Sequence, residues 1–565
     1  MTLSPELRQQ YITLSEATSA IQNVIHARLE KIPHRLLDTV AGKLCDQGAQ
    51  INAFKSSTEY NKLLSSTMKH SDFPPERVTE AVDMYFRYVM LSHRWEEPEP
   101  LLRDIQDKDI YELDPVGIIA KLRSFCETAR DAGFRWAWVD TCCIDQTNNV
   151  EVQRAVTSMF VWYRRSALTI VYLSDVPPSS KSGALAKSVW NTRGWTVQEF
   201  LAPNIVLFYQ NDWTLYLDDR SPNHKDSGAI MKELGDATGI DARDLVAFDP
   251  GMTGARTRLQ WVSMRITKFP EDIAYSLFGI FRVNNLPVIY GETRQSALGR
   301  LLQEVVAQSG DITCLDWFGK SSEFNSCLPA NIASYGAPPS ALPSPLSEDD
   351  IQTSVSSLRD AGAVEAASRL YTILEHQSAP RFAHRRLHLP CIIFPVTEVT
   401  PMSDQEQKPF FLYNVKADGL RDLLITTEDK LIPSSRAMPR RQKLLLVRPW
   451  DRNLLDLHHF TERFDIADDA QSITTEDYLT PPCSPLYDSS GICPTAGECA
   501  PVHSELDPRA LQLLARLRQP FSAFLLEQQR GEEYKRIASD RNITAQVKDI
   551  PAVHDMMEIK TLEIL

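Results

Sequence analysis

Short runs of consecutive apolar residues alternate with segments in which apolar residues recur every three or four positions, and the alternation begins near Arg87. Tyr88-Val-Met-Leu-Ser92, Trp136-Ala-Trp-Val-Asp140, Leu168-Thr-Ile-Val-Tyr-Leu173 and Ile205-Val-Leu-Phe208 read as buried strands. Between them, Val116, Ile119, Leu122 and Phe125 share a helical stripe within 115–131, and Val152, Val156, Met159 and Tyr163 share another. Asn148, followed three residues later by Glu151, has the form of a capping box opening that second helix. Strands separated by helices predict a parallel sheet covered on both faces. Ligands of such sheets bind beyond the carboxyl ends of the strands, where Ser92, Asp140 and the loop before Glu199 fall.

The flanks carry other patterns. Ile12, Ala17, Ile21, Val24, Ile25 and Leu29 form an amphipathic stripe that Pro33 interrupts, and a second helical stretch is expected from Leu37 to Leu64. Residues 1–80 therefore read as a helical region, and 85–310 as an α/β domain with a helical extension over 256–308. The Pro-rich stretch 337–345 and the acidic residues 347–350 predict a linker over 320–385. Strand-like runs at Cys391, Phe410 and Lys443 predict a small β-rich region over 386–465. The Pro, Ser and Thr content of 470–505 predicts disorder, and Asp507-Pro508 opens an expected helical segment over 506–565.

Length and charge narrow the class. The 565 residues exceed one ordinary domain, and 43% hydrophobic content suffices for more than one core. A net charge of −14 without a long basic run argues against nucleic acid; Arg440, Arg441 and Lys443 read as a solvated edge. No apolar run reaches membrane-spanning length, the first residues lack a secretory pattern, and the ten cysteines have no framework spacing, so a cytoplasmic location is expected.

Several familiar chemistries fail on spacing. Gly319-Lys320-Ser321 ends like a phosphate loop, but Cys314 stands where its first glycine belongs. Cys483, Cys493, Cys499 and His503 have no zinc-site spacing, so no metal is expected. Adjacent Cys142 and Cys143 read as buried thiols. What remains is the set at the expected mouth of the sheet: Ser92, His93, Arg94 and Trp95; Asp140 and Asp145; Trp190, Arg193, Trp195 and Glu199. Arginine and serine can bind phosphate, tryptophan can stack on a ring, and a glutamate among apolar groups can stabilise an oxocarbenium-like centre. Each also has a structural reading, with Arg193 pairing Glu199 or Asp140 to hold the loops together.

Three blocks resemble a known family. Tyr88-Val-Met-Leu-Ser-His-Arg-Trp95, Trp138-Val-Asp-Thr-Cys-Cys-Ile-Asp-Gln146 and Arg193-Gly-Trp-Thr-Val-Gln-Glu-Phe-Leu-Ala202 are similar to the three blocks of the fungal heterokaryon incompatibility (HET) domain. Pro270 to Phe281 and Pro287 to Glu292 extend the resemblance to about 85–310. It implies an effector of programmed cell death in nonself recognition, working through a protein partner or like HET domains. A more distant similarity joins Ser166 to Ser174 and Trp195-Thr-Val-Gln-Glu-Phe200 to Toll/interleukin receptor (TIR) domains, with Thr196 where those have cysteine. That similarity implies a TIR-like (flavodoxin-like) parallel sheet flanked by helices, between a helical amino-terminal region and a smaller β-rich carboxy-terminal one. It also implies an alternative activity, NAD glycohydrolase: Glu199 would be the catalytic glutamate, Ser92, Arg94, Asp140, Trp190 and Trp195 would bind the dinucleotide, and NAD would be substrate with no resident cofactor. A degenerate member acting only as an interaction module is the third reading.

Overall fold

The computed structural model describes residues 13–69, 75–96, 98–114, 117–283, 285–340, 347–402, 410–431, 443–455, 503–548 and 558–565. Ile12, Val116, Arg440, Arg441, Cys483, Cys493, Cys499 and nearly all of the stretch 470–505 lie outside them. The chain divides into two compact units, 1–339 and 340–565.

The first unit is built on a six-stranded sheet in the order β2-β1-β4-β3-β5-β6. Its strands are β1 (Leu36–Asp38), β2 (Lys43–Cys45), β3 (Tyr88–His93), β4 (Trp136–Trp138), β5 (Leu168–Tyr172) and β6 (Val206–Tyr209). The four expected strands, β3 to β6, are parallel neighbours, with Tyr88 facing Trp136, His93 facing Tyr172 and Tyr172 facing Tyr209. Every residue of β3 is buried, as a central strand covered on both faces requires. Two tyrosine hydroxyls clamp it to the helix that follows β4: Tyr88 donates to the Trp162 carbonyl at 2.6 Å and Tyr163 to the Leu91 carbonyl at 2.9 Å.

The longer helices, of six residues or more, are α1 (Leu14–Leu29), α2 (Gln47–Lys55), α3 (Thr58–Lys69), α4 (Pro75–Tyr85), α5 (Ile118–Asp131), α6 (Asn149–Arg165), α7 (Thr196–Leu201), α8 (Gly228–Thr238), α9 (Ala255–Val262) and α10 (Arg294–Ser309). Only half of the expected box opens α6. Asn148 accepts from the Val150 and Glu151 amides, but the Glu151 carboxylate turns away to the Arg35 guanidinium and the Asp145 amide.

That ion pair shows how the amino-terminal region departs from expectation. The residues after Leu36 form a hairpin, not a helix, and β1 pairs antiparallel with β4, with Leu37 facing Ala137. Leu36 and Leu37 are fully buried, so burial against the sheet overrides the helix expected from Leu37 onward. The hairpin covers an edge that the parallel strands would otherwise leave open. Buried Asp38 secures it, accepting from Arg135 Nη2 at 2.7 Å, Arg135 Nε at 2.9 Å and the amides of Val40 and Ala41.

The second unit contains β7 (Arg381–Ala383), β8 (Arg386–Pro401), β9 (Phe411–Ala417), β10 (Leu423–Thr427), β11 (Leu444–Pro449), β12 (Phe521–Gln528), β13 (Glu533–Ile537), β14 (Ile543–Ala545) and β15 (Glu558–Ile564). Because β15 pairs with both β13 and β8, strands β8, β11, β12, β13 and β15 close into a five-stranded barrel. A register shift between Val396 and Glu398 lets the long β8 leave the barrel and pair with β9. Two expectations change here. Within the supposed linker, Glu348–Asp360 (α11) and Val364–Glu375 (α12) are helices, with Leu358, Leu370 and Leu374 in the core of this unit. Within 506–565, helix is confined to the end of α13 (His503–Leu517), and the later described segments are strands that complete the barrel and sheet.

Removing the Asp38 carboxylate strands a half-buried guanidinium and two amides at once. Asp38→Ala is therefore expected to lower unfolding stability by about 2 kcal/mol, with Asp38→Asn intermediate, read from the denaturant midpoint of the full chain; an unchanged midpoint would show that the hairpin adds nothing to the sheet.

Candidate functional site

Glu199 lies in α7, a helix whose six residues are all buried. Its Oε2 accepts a hydrogen bond of 2.5 Å from Ser92 Oγ, near the end of β3, and Ser92 Oγ in turn accepts 2.9 Å from Trp190 Nε1. The hydroxyl thus uses its single proton on the carboxylate and a lone pair on the indole. Burial, reinforced by the negative charge of Asp140, pushes the Glu199 carboxyl up to about 8, against the opposing pull of Ser92, Arg193 and Arg265.

Asp140 follows β4 and has the opposite character. Burial pushes its carboxyl up, but His93 Nε2 at 3.2 Å, Trp95 Nε1 at 2.8 Å and the charge of Arg193 prevail and hold it below the usual range. His93 is wedged between Asp140 and Glu99, whose Oε1 lies 3.7 Å from Nδ1 and also takes the Lys121 ammonium.

A third carboxylate comes from the helical extension. Asp272 Oδ2 accepts from Trp195 Nε1 at 3.1 Å, and Oδ1 from the Tyr290 hydroxyl at 3.1 Å. Burial raises its carboxyl to about 6, with those two donors and Arg193 working against the rise and Glu271 adding to it.

The loop before α7 is held by a backbone crossing. Gly194 donates to the Ile266 carbonyl at 2.9 Å, and Ile266 to the Thr192 carbonyl at 2.7 Å. A Cβ at Gly194 would fall 2.6 Å from Thr267 Cγ2, which is why glycine separates Arg193 from Trp195. Buried Arg265 completes the fastening, donating to the Arg193 carbonyl and to Thr196 Oγ1, each at 2.9 Å. The crossing sets the Arg193 guanidinium 6.0 Å and the Lys268 ammonium 5.8 Å from the centre of the Trp95 ring.

These groups share a cavity of about 440 Å³. Glu199, Asp140, Asp272, Trp95 and Trp195 line it, with Arg193 and Lys268, and α6 supplies an apolar wall of Val152, Ala155, Val156 and Met159. The stripe on α6 is therefore cavity wall over much of its length. Carboxylates inside and cations beside an indole suit a ligand that carries both a positive ring and anionic groups.

Of the residues singled out in the sequence, Glu199, Asp140 and Trp195 line the cavity together. Ser92 and Trp190 do not reach it; they are buried behind Glu199, and their polar atoms are committed to one another and to that carboxylate. Arg94 is exposed and is not among the lining residues, because side chains at the end of β3 alternate and His93 takes the inward position. Arg193 and Lys268 are the cations of the cavity instead. Asp145 is a turn residue, accepting from the Thr147 amide and hydroxyl. Cys142 and Cys143 are buried as expected. Asp272 and Tyr290 fall within the segments Pro270 to Phe281 and Pro287 to Glu292 that resemble family sequence, where the paired acids Glu271-Asp272 are the available signal, and nothing in the sequence marks Lys268. Among the described residues no group of three or more His, Cys, Asp or Glu is placed to hold a metal ion, and no helix is long and apolar enough to cross a membrane.

Comparison with known proteins follows the same residues. No solved structure matches the chain. Over 233 residues it is 37% identical to the vegetative incompatibility protein HET-E-1 of Podospora anserina; the match covers 40% of this chain and 16% of that much longer protein. Residues 88–188, from the start of β3 to just before Trp190, match the family model described as heterokaryon incompatibility protein (HET). Within the α/β unit, the segment similar to heterokaryon incompatibility proteins is the one that supplies β3, Asp140 and α6 to the cavity.

Proposed function

We propose that this protein is an effector of fungal nonself recognition that triggers cell death, and that its HET domain acts by cleaving the nicotinamide–ribose bond of NAD with Glu199 as the catalytic carboxylate. The observation that carries the reading is the placement of buried Glu199 on the cavity, fixed through Oε2 by Ser92 while Oε1 takes no hydrogen bond from the described residues. A carboxylate so placed can face the positive charge that grows on the ribose as the bond breaks. Nicotinamide leaves as a neutral molecule and needs no proton, so the ionised form of Glu199 is the useful one. The cationic ring of NAD would itself favour that form on binding. Trp95 and Trp195 offer ring surfaces, and Arg193 and Lys268, in place of Arg94, are the cations that would meet the phosphates. The parallel order of β4-β3-β5-β6 and the place of Thr196 suit the TIR-like relationship. Thr196 donates to the Trp190 and Arg193 carbonyls and so serves structurally where TIR domains have cysteine.

A second reading, action by association with a partner or with like HET domains in the cytoplasm, is favoured by apolar side chains left in solvent next to the cavity residues. Met264 is 81% exposed, Ile266 68% and Ile289 47%. The two readings separate cleanly: cell killing that persists undiminished in Glu199→Gln leaves only association.

Three outcomes are expected of the full chain with NAD. Free nicotinamide appears in the wild type and falls about a thousandfold in Glu199→Gln. Because the reactive form is the carboxylate, kcat/KM should climb with pH and level off above about 8 in the wild type; a descending limb there would mean that Glu199 works as an acid. Stability should move the other way. A folded-state value above the unfolded one makes the native protein hold a proton that the unfolded chain releases, so stability falls between about pH 4.5 and 8 by an amount on the order of a few kcal/mol. Glu199→Gln lacks this loss, and its melting temperature should overtake the wild type's in alkaline buffer.

A further inference from the structure

Hydrolysis needs two services, stabilisation of the ribosyl cation and removal of a proton from the attacking water, and one carboxylate in Glu199's position supplies the first. Asp140 is poorly placed for the second. Its oxygens face the imidazole of His93 and the indole of Trp95, and with a neighbouring positive charge it is held as a weak base. Asp272 differs in what surrounds it. It is 5% exposed and lines the cavity, and both of its donors, Trp195 and Tyr290, line the same cavity, so its oxygens lie between two wall residues. Each oxygen accepts one bond from them and keeps a lone pair. The fastening is firm on both sides: Trp195 belongs to the loop crossed by Ile266, and the Tyr290 segment is pinned by Glu271 to the Gly291 amide at 2.8 Å and by Tyr275 to the amide and carbonyl of Ile289 at 3.0 Å.

We propose that Asp272 is the general base that activates water for attack on the ribosyl carbon, held in place by Trp195 and Tyr290. This rests on the reading of the cavity as a site of NAD cleavage. The balance is simple. The carbon–nitrogen bond breaks with its electron pair leaving on nicotinamide, the water oxygen forms the new bond to the same carbon, and its proton passes to the Asp272 carboxylate and then to solvent. Near-neutral basicity suits that task, since burial leaves the group ionised around pH 7 yet a better proton acceptor than Asp140.

A base can be told from a structural acid by changing the nucleophile. A neutral pyridine such as 3-acetylpyridine attacks the ribosyl carbon with a free lone pair and needs no deprotonation. In the full chain, Asp272→Asn is expected to slow formation of ADP-ribose by about a hundredfold or more while exchange of nicotinamide for 3-acetylpyridine stays within a fewfold of wild type. Tyr290→Phe, which removes one donor from Asp272, should lower hydrolysis more than exchange and serves as the milder variant if Asp272→Asn folds poorly. Equal loss of hydrolysis and exchange in both variants overturns the assignment, as does unimpaired hydrolysis in Asp272→Asn. Wild-type protein that releases no nicotinamide in either assay instead overturns NAD cleavage itself, and the assignment with it.

Discussion

The hydrogen bond from the Ser92 hydroxyl to Glu199 joins the end of the central strand to the first turns of α7, and the rest of the cavity is arranged around it. A carboxylate without a bonded cation is expensive to bury. Here the buried Arg265 guanidinium is turned onto backbone and Thr196 and acts on Glu199 only through its charge. Ser92 must therefore be a small hydroxyl, Trp190 must aim its ring nitrogen at it, and the strand must end where it does. Two residues that look like ligand contacts in the sequence are in fact the mount of a third.

The three carboxylates show how one cavity separates roles by surroundings alone. Glu199 has one donor and a like charge nearby, Asp272 has two neutral donors, and Asp140 has two donors, one of which, His93, also acts on it through charge. The ordering follows from the number and charge of the partners, because all three line the same cavity. Arg193 acts on all three without hydrogen bonding to any of them, so its position above Trp95, fixed by the crossing at Gly194 and Ile266, tunes the whole site.

Much of this was legible where local pattern and tertiary need agree. The buried runs of β3 to β5 and the stripe of α6 are strong signals because both faces of a parallel sheet must be apolar. Where long-range pairing decides, the sequence is mute. Leu37 opens a stretch that reads as helix but is claimed by the edge of β4, and Phe521 to Gln528 joins a strand far away in the chain. Arg94 illustrates the limit within the site itself, since a one-residue alternation at a strand end sends His93 inward and its neighbour to solvent. Asp272 needed the opposite kind of information, for nothing local marks an acid whose importance lies in an indole 77 residues away in sequence.

The matched family segment supplies only part of the cavity wall. Glu199 and the loop that holds it lie beyond residue 188, and the wall made by Lys268, Asp272 and Tyr290 lies further on. That wall is anchored in turn, with Arg256 donating to the carbonyls of Tyr335 and Ala337 and Phe324 filling the notch left by Gly299 on α10. On the other side, Arg35 and the β1–β2 hairpin brace the start of α6 and the exposed edge of β4. A fragment cut at 85 and 310 would keep every lining residue and lose the supports on both flanks. The lining is local, but the rigidity of its arrangement is a property of the whole first unit.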